Sequence, residues 1–377
     1  MEYFNKKYCF LVSSGKAALT LILLALKEAH PDRDQVLMPA FACYSVPSAI
    51  VRAGLKIELC DINPVSLDFD FDQLAGKLVN PRLLCVIPIH LFGLPADIGR
   101  LKRLLRDPAV TVVEDAAQAM GGEWQGEKLG TLGDVGFFSL GRGKALSTVE
   151  GGVILTDRDE LGRRLCTSVA VLPEYDSTGK LVLILYALAL LILLRPAFFW
   201  FPNSLLFLRL GETRFDPDFP IKRMSAFQAG LTRGWREKLA RLRQVRQAGV
   251  NAWAETLPVP CFPPLAGQKA APDLIRFPLQ LDTEEKAVEL VRKSERLGLG
   301  IARTYPNAVN GIAGLREKFA GQDFLAARQA ARRLVTLPVH GFLTSKDREG
   351  ILRMLAAADV LQETSERAST ARHREEC

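Results

Sequence analysis

The chain has 377 residues, which is long enough to bury a large core and to form two domains or one large domain. Apolar residues make up 48% of it and charged residues 24%, the balance of a folded globular protein. The net charge of +7 is spread along helical stretches rather than gathered in one block, so we expect no nucleic-acid partner. The seven cysteines form no CxxC pair and the four histidines are scattered, which argues against a metal site.

Short apolar runs alternate with helical patterns along the first part of the chain. Helical patterns at 16–30 and 45–54 separate the first runs. The runs that we interpret as strands are residues 8–12, 35–39, 56–62, 83–89, 110–115, 135–140 and 152–157. Continuous apolar strands spaced by helices are typical of a mostly parallel sheet covered on both faces. The predicted fold class is therefore α/β.

The second half of the chain is predicted to add a smaller α+β domain. Residues 222–256 have the pattern of one or two long amphipathic helices, and a strand-like run follows at 273–281. We predict a large domain at residues 1–220, a long helix with a small domain at 221–362, and a polar tail at 363–377.

One segment does not fit this alternation. Residues 181–194 are fourteen apolar residues between Lys180 and Arg195. A helix of that length reaches about 21 Å, less than the roughly 30 Å hydrocarbon core, so we expect no single spanning helix. Two alternatives stay open: a shallow hairpin in one leaflet, broken at Arg195–Pro196 with Trp200 at the headgroups, or a helix buried in a subunit interface. An all-round apolar helix slightly favours the membrane, since it has no solvent-facing side.

Polar residues follow several of the predicted strands. In a parallel sheet, ligands bind outside the carboxyl ends of the strands. That edge is expected to hold Ser13, Ser14, Gly15, His90, Glu114, Asp115 and Ser139.

The turn at Ser14 and Gly15 offers a helix N-terminus, which suits one phosphate group, although a plain N-cap serine has the same sequence. It is not a P-loop, because Phe10 stands at the first glycine position and Ala17 at the Ser/Thr position. For Glu114 and Asp115, a helix cap and a ligand-binding carboxylate remain equally open.

Lys144 lies in a glycine-rich turn, in the segment GFFSLGRGKALSTVEGG. Together with the phosphate turn, the acidic pair and Ser139, it makes the chain resemble the DegT/StrS-like sugar aminotransferases, which are fold-type I pyridoxal phosphate (PLP) enzymes. The segments that carry this resemblance are SSGKAAL, MPAFACYSVPSAIVRAGLKIELCDINP, VIPIHLFGLPADI, VVEDAAQAMGG, LGTLGDVGFFSLGRGKALSTVEGGVILTDRDEL, KRMSAFQAGL and LVTLPVHGFLT. The resemblance implies a seven-stranded-type sheet between helices.

The resemblance also implies roles for residues at matching positions. Lys144 would attach the cofactor covalently and then move a proton, as a lysine freed in a buried site does. Asp115 would pair with the pyridine nitrogen, and Gln118 would lie near the ring. Ser14 and Gly15 would hold the phosphate.

Two further positions complete the implied cofactor site. Ser139 would add a hydroxyl to the phosphate, and Lys16, where threonine is common, would neutralise it. The residue stacked on the ring is usually aromatic; the matching position is Cys43, with Tyr44 beside it.

The chain departs from the family elsewhere as well. Ile221 stands where the partner subunit usually supplies an asparagine, and residues 181–210 look like an insertion. Arg142 has two open interpretations, a second anion ligand or a solvated charge. The chain starts without the long apolar core of a signal peptide, so we expect a cytoplasmic protein, or one held at the cytoplasmic membrane surface through residues 181–208.

The leading hypothesis is a PLP-dependent aminotransferase that moves an amino group from an amino acid, with glutamate the expected donor, to a keto-sugar. The acceptor would be nucleotide-linked or, given the apolar segment, lipid-linked, and the family implies a homodimer. The alternatives are a membrane-associated PLP-binding regulator or scaffold without turnover, and a PLP-dependent sugar dehydratase. Dehydratases of this kind usually replace the lysine, so Lys144 argues against the last.

Overall fold

The computed structural model describes residues 2–193, 214–257 and 272–359. A seven-stranded sheet forms its centre, and a two-stranded hairpin of short strands, β6 and β7, lies beside it. The first nine strands are β1 (Tyr8–Val12), β2 (Gln35–Pro39), β3 (Lys56–Cys60), β4 (Leu83–Val86), β5 (Thr111–Asp115), β6 (Glu123–Trp124), β7 (Glu127–Lys128), β8 (Val135–Ser139) and β9 (Gly152–Thr156).

The strand order in the large sheet is β1-β9-β8-β5-β4-β2-β3. Strand β9 runs antiparallel to both of its neighbours, and the other pairs are parallel. The inner strands are buried on both faces, as their unbroken apolar runs predicted. The predicted α/β class and mostly parallel sheet are confirmed.

Helices cover the sheet, and their apolar side chains pack against the apolar side chains of the strands. They are α1 (Gly15–Ala29), α2 (Ser45–Arg52), α3 (Phe71–Lys77), α4 (Ile98–Leu104), α5 (Asp159–Ala170) and α6 (Ser177–Leu193). Helix α1 begins directly after the phosphate turn, where the Ser14 Oγ accepts a hydrogen bond of 3.1 Å from the Ala17 amide. Ten of its fifteen residues are buried, so the first helix of the chain is a core element.

The C-terminal part pairs two strands against helices. Its elements are α7 (Ala226–Leu231), α8 (Trp235–Thr256), β10 (Phe277–Gln280), α9 (Glu284–Leu297), α10 (Leu325–Arg333), β11 (Leu334–Leu337) and α11 (Ser345–Ala357). Strands β10 and β11 are antiparallel. Helix α8 is joined to this unit by the buried indole of Trp253, which donates to the Pro338 carbonyl at 2.9 Å. The predicted helices at 222–256 are two, separated by a turn at Gly234, which has a φ of +65°.

Residues 181–193 of the apolar segment lie in helix α6, and the described part of the chain ends there and resumes at residue 214. The predicted break at Arg195–Pro196, Trp200 and the tail at 363–377 lie outside the described residues. Within the described residues, no helix is both long enough and apolar enough to span a membrane. Side chains at Leu181, Val182, Ile184, Leu185, Leu188 and Leu191 each expose between 37% and 69% of their surface, whereas Leu183 and Leu190 are buried.

Candidate active site

A cavity of about 170 Å³ opens at the carboxyl ends of the parallel strands. Strands β1, β5 and β8 run in the same direction and each end there, so the sheet brings together residues that are far apart in the sequence. Of the residues predicted from the sequence, those that line it are Ser14, Gly15, Lys16, Cys43, Asp115, Gln118, Ser139 and Lys144.

One end of the cavity is formed by the start of helix α1. The amides of Gly15 and Lys16 have no intrahelical partner, because the first turn of a helix leaves its N–H groups free. A Cβ on Gly15 would lie 2.8 Å from the Cβ of Ser139, so only glycine fits between the two strand ends. Free amides beside the Ser139 hydroxyl, at the positive end of a helix dipole, make this end suited to an anion.

The Lys16 side chain contacts the segment at 214–220. Its Nζ lies 3.6 Å from a carboxylate oxygen of Asp216 and 4.3 Å from the centre of the Phe219 ring. The ammonium is thus already paired with the segment at 214–220. Lys16 contributes its backbone amide to the anion end, while the predicted neutralising role of its side chain remains a prediction.

Asp115 supplies a buried carboxylate to the cavity. Its Oδ1 accepts a hydrogen bond of 2.9 Å from the Ala117 amide, and its other oxygen has no hydrogen-bond partner among the described residues. Burial raises the pKa of Asp115, and the positive charge of Lys144 opposes that shift. A buried carboxylate with one open oxygen is suited to a cationic or proton-bearing ligand atom.

The neighbouring Glu114 points to the other side of strand β5 and is fully bonded. It accepts from His90 Nε2 at 2.7 Å and from three amides of the turn at 130–133. Burial works to raise the pKa of Glu114, but the hydrogen bonds from His90 and these amides outweigh it and lower the pKa. Because His90 Nδ1 accepts from the Ala96 amide, its proton lies on Nε2 and is donated to Glu114. The two acidic residues therefore have different surroundings. Glu114 binds the backbone of a turn, and Asp115 faces the cavity.

Lys144 approaches the cavity from the loop after β8. The loop turns at Gly143, whose φ of +74° favours glycine, and the Lys144 amide donates to the Gly141 carbonyl at 3.3 Å. Its Nζ has neither an ion-pair nor a hydrogen-bond partner in the described part of the chain. Helix α8 supports the loop from behind, since Arg246 donates to the Ala145 carbonyl at 2.9 Å.

Gln118 and Cys43 line the cavity, whereas Tyr44 does not. The Tyr44 hydroxyl is bonded to the backbone of Asn307, and its ring lies in the core. Of the two candidates for the residue beside a ring, only Cys43 therefore has a side chain on the cavity wall. Its Sγ lies 3.4 Å from the Ser45 hydroxyl.

Two residues near the site were not anticipated from the sequence. Tyr305 contacts Gln118 from the C-terminal part, and Tyr186 on α6 accepts a hydrogen bond of 3.1 Å from Arg142. Neither belongs to a strand end or a glycine turn, so no sequence signal used above marks them. Arg142 is therefore bonded to α6 rather than fully solvated. Ile221 packs against the main core beside β1.

The residues present fit PLP. The anion end suits a phosphate, and a Cβ at position 15 would collide with Ser139, whose hydroxyl is part of that end. The open oxygen of Asp115 and the unpaired Nζ of Lys144 face the same cavity, so a carboxylate and an amine are available to one ligand. Among the described residues, no group of histidine, cysteine and acidic side chains could hold a metal ion.

Comparison with known proteins points the same way. Residues 1–171 match the DegT/DnrJ/EryC1/StrS aminotransferase family. An L-glutamine:2-deoxy-scyllo-inosose aminotransferase from Streptomyces kanamyceticus is 33% identical over 164 residues, 44% of this chain and 38% of that protein. A GDP-4-keto-6-deoxy-D-mannose 3-dehydratase from Yersinia pseudotuberculosis is 30% identical over 164 residues, 42% of each chain. The chain spans about two fifths of the length of the curated relatives it matches.

Solved structures match nearly the whole chain. The sugar aminotransferase CalS13 from Micromonospora echinospora is 20% identical, with a TM-score of 0.71 over 94% of this chain and 89% of that one. NtdA from Bacillus subtilis, solved with bound pyridoxamine phosphate (PMP), is 20% identical, with a TM-score of 0.71 over 95% of this chain and 74% of that one. The chain therefore has the fold-type I fold seen in these sugar aminotransferase structures, and its residues 1–171 are similar to the DegT/DnrJ/EryC1/StrS aminotransferase family.

Proposed function

We propose that the protein is a PLP-dependent aminotransferase that transfers an amino group from an amino acid to a keto-sugar. The observation that carries the proposal is the meeting of Lys144, Asp115 and the anion end of helix α1 in one cavity. The family match supports the same activity.

The residues of the chain divide the work of this reaction. PLP, when bound, supplies the electron sink that makes the Cα proton of an amino acid acidic. The α1 amides and the Ser139 hydroxyl would bind the phosphate, and Asp115 would keep a proton on the pyridine nitrogen. Lys144 Nζ would hold the cofactor and would serve as the base that moves the amino-acid Cα proton. A buried charge on Asp115 is costly, and the positive charge of the protonated pyridine nitrogen would compensate it.

The relatives and the apolar segment support our choice of substrates. The L-glutamine-dependent relative and the sugar aminotransferase structures support an amino-acid donor, with glutamate our choice, and a keto-sugar acceptor. The exposed apolar face of α6, next to the loop of Lys144, supports an acceptor carried on a lipid over one carried on a free nucleotide. On this proposal residues 181–208 contact the cytoplasmic membrane surface, and the protein works as a homodimer.

A dehydratase is the second candidate, because one relative carries that name. Lys144 favours the aminotransferase, since an amine at this position is the group that returns a proton and re-binds the cofactor. A PLP-binding regulator without turnover is the third, and the cysteine at position 43 favours it.

The test is the fate of the amino group. The purified protein, supplied with PLP, should show a visible absorbance that borohydride bleaches and that leaves the cofactor on Lys144 in peptide mass spectra. Addition of glutamate should then yield PMP and 2-oxoglutarate. A protein that binds PLP but forms no PMP with any amino donor would overturn the aminotransferase and support the regulator, whereas loss of water from a keto-sugar would support the dehydratase.

A further inference from the structure

Tyr305 reaches the cavity wall from the C-terminal part of the chain. It lies in the segment of the chain that joins helix α9 to helix α10. Only 3% of its surface is exposed. Its hydroxyl lies 2.9 Å from Nε2 of Gln118, which lines the cavity. Burial raises the pKa of Tyr305 well above its usual range, so the hydroxyl stays protonated.

The orientation of the Gln118 amide is fixed by its two partners. The backbone N–H of Phe92 can only donate, and it lies 3.1 Å from the Gln118 oxygen. The amide nitrogen must therefore face Tyr305, whose hydroxyl oxygen accepts the hydrogen bond. Without Tyr305, one end of this amide would be free to rotate within the cavity wall.

The ring of Tyr305 is held by other aromatic rings. Phe92 lies nearly parallel to it at 6.4 Å between ring centres, and Phe41 meets it edge-on at 5.3 Å. Behind it, Asn307 is bonded through both backbone groups to the Tyr44 hydroxyl. These ring contacts hold the Tyr305 side chain in place, which supports its contact to Gln118.

We propose that Tyr305 is a positioning residue of the active site: its hydroxyl fixes the Gln118 amide on the cavity wall and thereby joins the C-terminal part of the chain to the cofactor site. The inference rests on the proposed function, because it requires the Gln118 amide to lie against PLP when PLP is bound. Tyr305 itself does not line the cavity, and its hydroxyl also lies near Cys43, but the positioning role that we propose acts through Gln118.

The test is PLP binding by three variants, measured by absorbance titration of the full chain. Tyr305→Phe keeps the ring and loses the hydroxyl, and we expect about threefold to tenfold weaker PLP binding. Gln118→Ala should weaken binding by at least as much, and the double variant no more than Gln118→Ala alone. The visible absorbance maximum of bound PLP should shift in the same direction in both single variants.

Thr156→Val is the matched control. It also removes one buried hydroxyl, which donates to the Asp134 carbonyl. Thr156 is the last residue of strand β9, at the end of that strand away from the cavity. We expect it to leave PLP affinity and the absorbance maximum unchanged. Thermal unfolding of each variant shows whether it folds, and Gln118→Ala tests the same contact if Tyr305→Phe does not.

The outcomes separate the inference from the proposed function. Wild-type affinity and spectrum in Tyr305→Phe, or additive losses in the double variant, would overturn the positioning role alone. A wild-type chain that binds no PLP would overturn the proposed function and this inference with it.

Discussion

The cavity and helix α6 differ in opposite ways from an ordinary protein interior and surface: the cavity buries polar side chains, and α6 exposes apolar ones. In the cavity, polar side chains are withdrawn from water, and each is bonded to the protein or left open toward the ligand space. On α6, leucines and other apolar side chains are left in contact with water, although burying each would stabilise the protein by about 1.5–3 kcal/mol. A polar group in the core and an apolar face outside it both indicate a partner. For the cavity the partner is a cofactor; for α6 we propose a lipid surface.

The two regions meet at one contact. Arg142, two residues before Lys144, donates to the Tyr186 hydroxyl of α6 at 3.1 Å. A partner bound to the apolar face would therefore lie beside the loop that carries Lys144. Substitutions in each region should separate their roles, because we propose that the cavity carries the chemistry and that α6 attaches the protein to a surface.

Lys144→Ala should have the largest effect. It removes the amine that holds the cofactor and moves the proton, so we expect turnover to fall by about 10⁴-fold, the upper end for a positioned general base. Amino transfer from glutamate to PLP, followed by absorbance, measures it. Lys293→Ala, a surface lysine paired with Glu289, is the control and should be unchanged. Activity retained in Lys144→Ala would place the chemistry elsewhere.

Asp115→Asn should come second, with a loss of about 10²–10³-fold in turnover, the size expected when one preorganised charge is removed from an active site. The amide keeps the hydrogen bond from Ala117 but carries no negative charge. Burial raises the pKa of Asp115, so its ionisation opposes folding above its ordinary pKa of 3.8. The cofactor-free variant should thus unfold no more easily than wild type. A variant that is inactive because it is unfolded would contradict this role.

Glu114→Gln should reverse that pattern, with activity kept and stability lost. The new NH₂ group would face N–H donors, so the free energy of unfolding at pH 7 should fall by about 2–3 kcal/mol. The pKa of Glu114 is lowered from 4.5, so its stabilisation is complete above that value and is lost as the pH falls through the folded-state pKa. Urea unfolding from pH 7 down to pH 3 should show a steeper fall for wild type than for the variant. Parallel curves would show that Glu114 does not titrate as proposed.

Most of the sheet could be predicted from the sequence, because its strands are apolar on both faces and separated by helical periods. Each predicted strand from 8–12 to 152–157 is present in the large sheet. Pairing order could not be predicted, since the antiparallel β9 has the same apolar pattern as its parallel neighbours. Buried strands show no alternation from which direction could be read.

The site was predictable where residues follow strand ends and not where they come from elsewhere. Ser14, Asp115 and Ser139 lie at the carboxyl edge of the sheet, as the strand ends predicted. The division of labour between Glu114 and Asp115 depends on which face of β5 each occupies, and that required the structure. Tyr305 arrives through packing of a distant segment, and its sequence neighbourhood carries no corresponding pattern.

The smallest effect, and the sharpest for the comparison, concerns α6. Replacing Leu181, Leu185 and Leu188 by serine removes exposed apolar side chains without touching the cavity. We expect at least about tenfold weaker co-sedimentation with phosphatidylethanolamine–phosphatidylglycerol vesicles, because even partial loss of this burial exceeds 1.4 kcal/mol. PLP absorbance should be unchanged.

The matched control replaces exposed apolar side chains away from α6, namely Val79, Leu297 and Leu325, by serine. It should sediment with vesicles as wild type does. If the α6 variant instead keeps its vesicle binding and changes from dimer to monomer in light scattering, the helix is a subunit interface and the membrane proposal is wrong. If wild type remains in the supernatant, no lipid surface covers α6. Only loss of vesicle binding confined to the α6 variant leaves the lipid-linked acceptor as the substrate that this helix brings to Lys144.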